Sequence, residues 1–131
     1  MISKELGVLG EKVAENYLKK KGYQILDKNY LPKFISGPKR GEIDVVAKKG
    51  GVVSFIEVKT LNESDRGRTS AISPEEKVNF LKKRKIIKMA ESWLIEKTFP
   101  LDSKWQIDVI SVRINLENKK AKIRHFQNVI C

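Results

Sequence analysis

The segment from residue 41 to residue 60 constrains the fold of this chain more than any other feature. Two runs of strand-forming residues, 42–48 and 52–60, flank the tripeptide Lys49-Gly50-Gly51, and this pattern is typical of a β-hairpin. A two-residue turn at the glycines, or a four-residue loop, gives a register that pairs Asp44 with Glu57. Opposed side chains lie on one face, and alternation places Lys59 on the same face as Glu57.

That arrangement has a chemical consequence. Two opposed carboxylates repel each other and destabilise a hairpin, and a divalent cation removes this repulsion. Asp44 and Glu57 therefore form a candidate Mg²⁺ site, with Lys59 placed to neutralise charge that grows on a phosphate. The same pattern also fits an ordinary charged hairpin surface with Lys59 paired to Glu42, and spacing alone does not decide between the two.

The apolar residues that alternate with the charged ones are expected to anchor the other face of the hairpin. They are Ile43, Val45, Ile56 and Val58.

Hydrophobic periodicity predicts the remaining elements. A helix over 3–21 stops at Gly22, and a second helix begins at the capping box Ser73–Glu76 and runs to about Lys97. Strands are predicted at 23–26, 105–112 and 120–126, with a basic loop at 30–41 and a polar loop at 61–72. The order predicts an α/β sandwich around a central mixed sheet, formed by one domain over residues 1–131.

The charge of the chain indicates a polyanionic partner. Lys and Arg number 27 and Asp and Glu number 16, which gives a net charge of +11. Phosphate contacts with such a surface release condensed counterions, so nucleic acid is the favoured partner. The alternative is a charged surface that only serves solubility. That role would raise the numbers of acidic and basic residues together.

Other compositional features are limited in what they indicate. The only cysteine is Cys131, so no internal disulfide or cysteine zinc cluster is expected. The N-terminal residues lack the apolar core of a signal peptide, and no stretch has the length of a membrane span. We therefore expect a cytoplasmic protein without membrane contact.

Two motifs resemble a known nuclease superfamily. Gly41-Glu42-Ile43-Asp44 followed by Glu57-Val58-Lys59 is similar to the PD-(D/E)xK signature, with Ile43 where the signature has proline. Leu9-Gly10-Glu11 precedes these motifs, and Gln106–Ile110 and Ile123–Phe126 follow them. Together they resemble the YraN-like family of small endonuclease-like proteins, which is related in fold to archaeal Holliday-junction resolvases, and the resemblance covers nearly the whole chain.

The resemblance implies a restriction-endonuclease-like fold and a site for Mg²⁺ or Mn²⁺. It implies metal ligation by Asp44, Glu57 and the backbone carbonyl of Val58, and a catalytic role for Lys59. It also adds Glu11 of the first helix as a metal ligand and catalytic residue, where the simpler interpretation is a solvated helix carboxylate.

Two functions from different classes follow. The first is a metal-dependent endonuclease that hydrolyses phosphodiester bonds in DNA, with branched or damaged DNA among its substrates. The alternative is a non-catalytic nucleic-acid-binding module on a nuclease fold. A homodimer is compatible with the first, because cutting both strands of a duplex pairs two sites, but no residue of the sequence specifies one.

Several further residues have candidate roles. Basic residues predicted to contact nucleic acid are Lys33, Lys39, Arg40, Lys82, Lys83 and Arg84, with a solvated surface as the equal alternative. His125 is predicted to be structural or exposed. Asp108 is predicted as a satisfied buried carboxylate, a supporting residue of the site or an exposed edge residue. Trp93 and Trp105 are predicted to lie in the core.

Overall fold

The structure is a computed structural model that describes residues 3–33, 41–63, 80–100 and 102–129. In chain order its elements are α1 (Ser3–Lys20), β1 (Gln24–Tyr30), β2 (Ile43–Lys49), β3 (Val52–Asn62), α2 (Phe80–Glu96), β4 (Lys104–Asn115) and β5 (Lys120–Phe126). The strands form one sheet in the order β1-β2-β3-β4-β5. Only β3 and β4 run parallel, while the other neighbours are antiparallel. The predicted α/β architecture with a mixed sheet is confirmed.

Helix α1 ends as its sequence predicts. Gly22 has φ of 92°, a left-handed conformation that glycine adopts without a steric penalty. Its N–H donates to the carbonyl of Lys19 at 3.1 Å, and the N–H of Tyr23 donates to the carbonyl of Leu18 at 2.9 Å. This pair of bonds is a Schellman motif, which satisfies carbonyls at the end of the helix and turns the chain toward β1.

The β2–β3 hairpin has the predicted register. Gly50 and Gly51 both have positive φ, 59° and 78°, as a two-residue type I′ turn requires. The partners run from Lys49–Val52 to Val45–Ile56. Because the turn determines this register, the positions of Asp44 and Glu57 next to the last pair follow from the two glycines.

Each face of the sheet is covered by one helix. On one face Ala14 and Leu18 of α1 are fully buried against the sheet. On the other face α2 buries Met89, Ala90 and Trp93. Trp93 is therefore a core residue, as predicted, and Trp105 is partly buried against the same cluster. The buried side of α2 also includes Ile86.

The expected apolar anchor of the hairpin is partly wrong. Val45, Ile56 and Val58 pack on the α1 face, but Ile43 packs with the α2 cluster. Ile43 precedes the regular β2–β3 pairs, and its partner in β1 is Tyr30, which belongs to the same α2-side cluster. Asp44 consequently lies at a transition between the two faces.

Several boundaries also differ from the predictions, and β4 extends to Asn115 rather than residue 112. Strand β1 extends to Tyr30 rather than residue 26, because its second half also pairs with β2. The prediction stopped early because this second half is polar. Strand β3 includes Leu61 and Asn62, which pair with β4, where a loop was predicted. The predicted capping box Ser73–Glu76, and the greater part of both predicted loops, lie outside the described residues.

Neither described helix combines the length and apolar character that crossing a membrane demands.

Candidate metal site at the edge of the sheet

Asp44 is the residue around which the candidate site is built. It stands near the start of β2, and its Oδ2 accepts a hydrogen bond of 2.7 Å from the backbone N–H of Val58 in β3. The side chain is therefore held across the hairpin. It is only partly exposed, which removes the carboxylate from much of the water that would otherwise solvate it.

Three carboxylates from two parts of the chain meet at this point. Ligand oxygens of Glu11, Glu42 and Asp44 all lie within 4.8 Å of one another. Glu11 comes from α1, Glu42 directly precedes β2, and Asp44 is the second residue of that strand. The structure thus brings together two of the predicted site residues, Glu11 and Asp44, and adds Glu42.

Asn29 of β1 connects two members of this group. Its Nδ2 donates to Oε1 of Glu11 at 2.9 Å and lies 3.4 Å from Oε1 of Glu42. Asn29 has φ of 51°, a left-handed conformation that asparagine tolerates better than most residues. This conformation kinks the strand, so the two neighbours of Asn29 contact different helices. Lys28 contacts Glu15 of α1, whereas Tyr30 contacts Ser92 of α2. The kink therefore turns the Asn29 amide toward the acidic group.

Gly10 allows α1 to bring Glu11 this close. A Cβ added at Gly10 would overlap the Oγ1, Cγ2 and Cβ atoms of Thr60 in β3. Since Cβ of a β-branched residue is fixed by the backbone, Thr60 cannot move aside cheaply. The absence of a side chain at Gly10 lets the helix contact β3 directly, one residue before Glu11.

The electrostatics of the group favour a proton or a cation. The pKa of Asp44 is raised from 3.8 to about 7, chiefly by burial and in smaller part by the neighbouring charges of Glu11, Glu42 and Glu57. The hydrogen bond from Val58 opposes this rise. At neutral pH Asp44 therefore shares its site with other carboxylates at an electrostatic cost, which a bound cation offsets.

Glu57 and Lys59 lie next to the three carboxylates but are not among those whose oxygens lie within 4.8 Å of one another. Oε1 of Glu57 forms an ion pair of 3.1 Å with Nζ of Lys59. Both side chains are partly exposed, and the charge of Glu57 contributes to the pKa of Asp44. The structure shows Lys59 paired with Glu57 rather than with Glu42, which was the alternative partner.

The donor set fits a hard divalent cation. Carboxylate oxygens are the ligands of Mg²⁺ and Mn²⁺, and an ion that keeps several waters needs few protein ligands. Glu11, Glu42 and Asp44 can supply them, with Glu57 beside them. The predicted ligand role of the Val58 carbonyl stays a prediction, since the structure shows only its N–H bound to Asp44.

Only some of the basic residues predicted to contact nucleic acid lie in the described part of the chain. Lys33 and Arg84 are exposed. Lys39 and Arg40, and the side chains of Lys82 and Lys83, lie outside the described residues. The role of all six in binding nucleic acid stays a prediction.

Sequence reasoning missed Glu42 as a site residue. The regular hairpin register paired it with Lys59, but the β2–β3 partners end at Val45–Ile56. A signal was present, because Glu42 and Asp44 are two acidic residues separated by one apolar residue. Asn29 carried no signal in the sequence, since its role depends on a left-handed backbone.

A second polar cluster lies in the core, away from the carboxylate group. Asp108 is fully buried and accepts hydrogen bonds from Gln106 at 2.9 Å and from the N–H of Asn128 at 2.9 Å. His125 Nε2 lies 2.8 Å from Oδ2 of Asp108, and its Nδ1 lies 3.1 Å from the hydroxyl of Tyr17. Asp108 is thus a satisfied buried carboxylate, one of its three predicted alternatives, and His125 is structural.

The fold and the carboxylate group define a mixed α/β protein with a cluster of three carboxylates that could hold a metal ion. The sequence model of the uncharacterised protein family UPF0102 matches residues 10–112. The chain belongs to the UPF0102 family.

Relatives from this family are similar to the chain over almost their whole length. A UPF0102 protein of Clostridium beijerinckii is 38% identical over 130 residues, 97% of this chain and 94% of the relative. One of Alkaliphilus oremlandii is 34% identical over 127 residues, 97% of this chain and 98% of the relative. One of Clostridium tetani is 38% identical over 122 residues, 93% and 90% of the two chains.

Proposed function

We propose that this protein is a metal-dependent phosphodiesterase that hydrolyses DNA. The observation that carries the proposal is the partly buried carboxyl of Asp44, whose oxygen lies within 4.8 Å of those of Glu11 and Glu42. A pure DNA-binding surface gains nothing from carboxylates, because they repel phosphate. Their convergence on one point is useful when a divalent cation lies between them and the substrate.

The residues around this point have distinct proposed roles. Asp44, Glu11, Glu42 and Glu57 would hold the cation, as Mg²⁺ or Mn²⁺. When bound, such an ion polarises the phosphoryl group and lowers the pKa of an attacking water. Val58 fixes the orientation of Asp44 through its N–H, so the carboxylate is preorganised before any ligand arrives.

Lys59 would act on the substrate directly. Its ammonium is held 3.1 Å from Oε1 of Glu57, next to the carboxylate group. In hydrolysis the oxygen of water bonds to phosphorus while one ester bond breaks, and negative charge grows on the phosphoryl oxygens. A cation fixed beside those oxygens stabilises that charge more in the transition state than in the ground state.

The charge of the whole chain supports DNA as the substrate. A net charge of +11 on 131 residues attracts a polyanion over distances of about a Debye length. The acidic group is a local exception on this basic chain. The positive net charge attracts the DNA backbone, and the acidic group would restrict hydrolysis to one position.

The test is cleavage of supercoiled plasmid and of branched DNA in Mg²⁺ or Mn²⁺. We expect Asp44→Asn, Glu57→Gln and Lys59→Met each to lower the rate by roughly a hundredfold or more. Glu117→Gln is the matched control, since Glu117 is an exposed carboxylate of the β4–β5 turn. Equal cleavage by Glu57→Gln and the wild type would identify a contaminating nuclease.

Calorimetry separates this proposal from the non-catalytic alternative. Mg²⁺ or Mn²⁺ should bind the wild type and not Asp44→Asn. DNA binding that weakens with salt, without metal binding and without cleavage, would instead identify a nucleic-acid-binding module.

A further inference from the structure

Asp44 lines two cavities that lie on different sides of the sheet. The first is a cavity of about 510 Å³ between the sheet and α2, and the second is a groove of about 410 Å³ beside α1. A ligand group held at Asp44 would therefore have space on both sides. What can occupy the two spaces follows from the residues that line each one.

The α2-side cavity is lined by buried apolar residues and by more exposed charged ones. Phe55, Ile86, Met89 and Ile107 are buried apolar residues of its lining. Glu42, Asp44, Glu57 and Lys85 also line it and are more exposed. Cavities of this size with apolar walls and a few polar groups are typical of sites for small ring-shaped ligands.

Gly41 and α2 meet at one wall of this cavity. A Cβ at Gly41 would lie 3.0 Å from Cε of Lys85 and 3.3 Å from Cε of Met89. The two α2 side chains thus pack directly on the backbone that leads into Glu42. Met89 is flexible and polarizable, so this wall can adapt to a planar ring.

The α1-side groove is lined by charged residues of both signs. Lys12, Lys19 and Lys28 line it together with Glu11, Glu15 and Asp44, and Glu15 forms ion pairs of 3.2 Å with Lys19 and 3.4 Å with Lys28. Lys12 and Lys19 lie seven residues apart and therefore on one side of α1. Both are exposed, as is Lys28 of the neighbouring strand β1. Lys12 can contact the phosphates of a nucleic-acid strand directly, and Lys19 and Lys28 can do so by exchanging Glu15 for a phosphate.

We propose that the α2-side cavity binds the unstacked base of an unpaired nucleotide next to the phosphodiester held at Asp44, while the strand continues along the α1-side groove. This inference rests on the proposed function and names its substrate class: DNA with an unpaired nucleotide at the reacting position, as in a bulge, a flap or a junction.

A base fits this cavity better than other small apolar ligands do. Amino groups of bases can donate hydrogen bonds to the three carboxylates of the lining. A base is also covalently attached to the phosphate that the acidic group would hold, so no separate recognition step is needed. Fully paired DNA offers no such base without the cost of unstacking and unpairing it.

The test is binding of DNA hairpins that carry one bulged nucleotide. Three hairpins are compared, with 2-aminopurine at the bulge, with an abasic bulge, and without a bulge. We expect the base-bearing bulge to bind about tenfold more tightly than the abasic one. We also expect 2-aminopurine fluorescence to increase on binding, because the base leaves its stacked neighbours. Affinity and fluorescence are measured in Mg²⁺ and in EDTA.

Protein variants provide the matched comparison. Met89→Trp should fill the cavity and reduce the preference for the base to less than twofold. Ile95→Trp places the same side chain at an exposed position of the same helix and should keep the preference. Circular dichroism establishes that both variants are folded, and the abasic hairpin tests the proposal even if Met89→Trp does not fold.

The outcomes separate the two proposals. Equal wild-type affinity for the base-bearing and abasic bulges, with unchanged fluorescence, overturns the base-binding cavity. A base preference that Met89→Trp abolishes supports the cavity even where no DNA is cleaved, in which case only the proposed hydrolysis fails. Cleavage without any base preference would support the proposed hydrolysis and overturn the base-binding cavity.

Discussion

The backbone N–H of Val58 donates a hydrogen bond of 2.7 Å to Oδ2 of Asp44, at the point where the regular β2–β3 partners have ended. The side chain of Asp44 thereby adds a hydrogen bond between β2 and β3 beyond their last backbone pair. Because the carboxylate is also surrounded by other acids, one residue serves both the hairpin and the candidate site. The state of charge of Asp44 consequently affects folding as well as metal binding.

The first prediction concerns the pH dependence of stability without metal. The pKa of Asp44 is about 7 in the folded protein and 3.8 as its ordinary value, so between these values the folded state holds a proton that the unfolded state has released. The contribution of Asp44 to stability is therefore lost as the pH rises from about 4 to about 7. Asp44→Asn should become more stable than the wild type toward about pH 8, by roughly 1–3 kcal/mol. A shift of about three pKa units corresponds to about 4 kcal/mol, and solvent screening of this partly exposed group reduces that value.

Urea unfolding of both proteins in EDTA at several pH values measures this difference. Adding Mg²⁺ should reverse it, because the ion binds the ionised form and stabilises only the wild type. Parallel curves for the two proteins from about pH 5 to about pH 8 would contradict the assigned shift.

The second prediction concerns the contact between α1 and β3. Gly10→Ala forces a Cβ into Thr60 and should lower the free energy of unfolding by about 1–3 kcal/mol. Gly7→Ala is the matched control on the same helix, because nothing lies within 4 Å of its added Cβ. It should leave stability unchanged or raise it by about 0.5–1 kcal/mol.

A double-mutant cycle tests the cause of the Gly10→Ala effect. Thr60→Ala removes two of the three overlapping atoms, so Gly10→Ala should cost less in that background. Strict additivity of the two substitutions would show that the effect does not arise from this contact.

The third prediction separates the backbone role of Asn29 from its side-chain role. Asn29→Gly keeps the left-handed conformation but removes the amide that contacts Glu11 and Glu42. It should fold and bind Mn²⁺ about tenfold more weakly, as expected when a group that orients ligands is lost. Asn29→Ala should be less stable than Asn29→Gly by about 1 kcal/mol. Titration calorimetry and thermal unfolding measure the two effects, and identical Mn²⁺ affinity in Asn29→Gly and the wild type would refute the orienting role.

The fourth prediction concerns the buried cluster around Asp108. His125→Phe removes the imidazole that lies 2.8 Å from this fully buried carboxylate and should destabilise the protein by about 3–5 kcal/mol. Tyr17→Phe removes only one hydroxyl from the cluster and should cost about 1 kcal/mol. Chemical denaturation measures both. A loss below about 1 kcal/mol for His125→Phe would show that the imidazole contributes little.

Local signals account for what could be predicted from the sequence. The Gly50-Gly51 turn determines the β2–β3 register, and Gly22 ends α1, since both positions require a left-handed backbone. These features depend on residues close together in the chain. The register of the hairpin, and with it the position of Asp44 near Glu57, therefore follows from the sequence alone.

Features that depend on distant residues were not predictable in the same way. The carboxylate group needs α1, β1 and β2 together, and the position of Glu42 in it depends on Asn29 of a different strand. Asp108 had three open alternatives because its environment includes His125 and Asn128. Local sequence patterns record neither a break in strand alternation nor a partner in another element.

The hydrogen bond between Tyr17 and His125 joins residues that are 108 positions apart. A ribosome adds residues from the N-terminus, so α1 is synthesised long before β5, which supplies the partner of Tyr17. The parallel pairing of Val52 with Lys104 must likewise wait for a long intervening segment, and such distant contacts slow folding. The nascent chain therefore carries Glu11 on a helix that lacks this anchor until β5 has been synthesised.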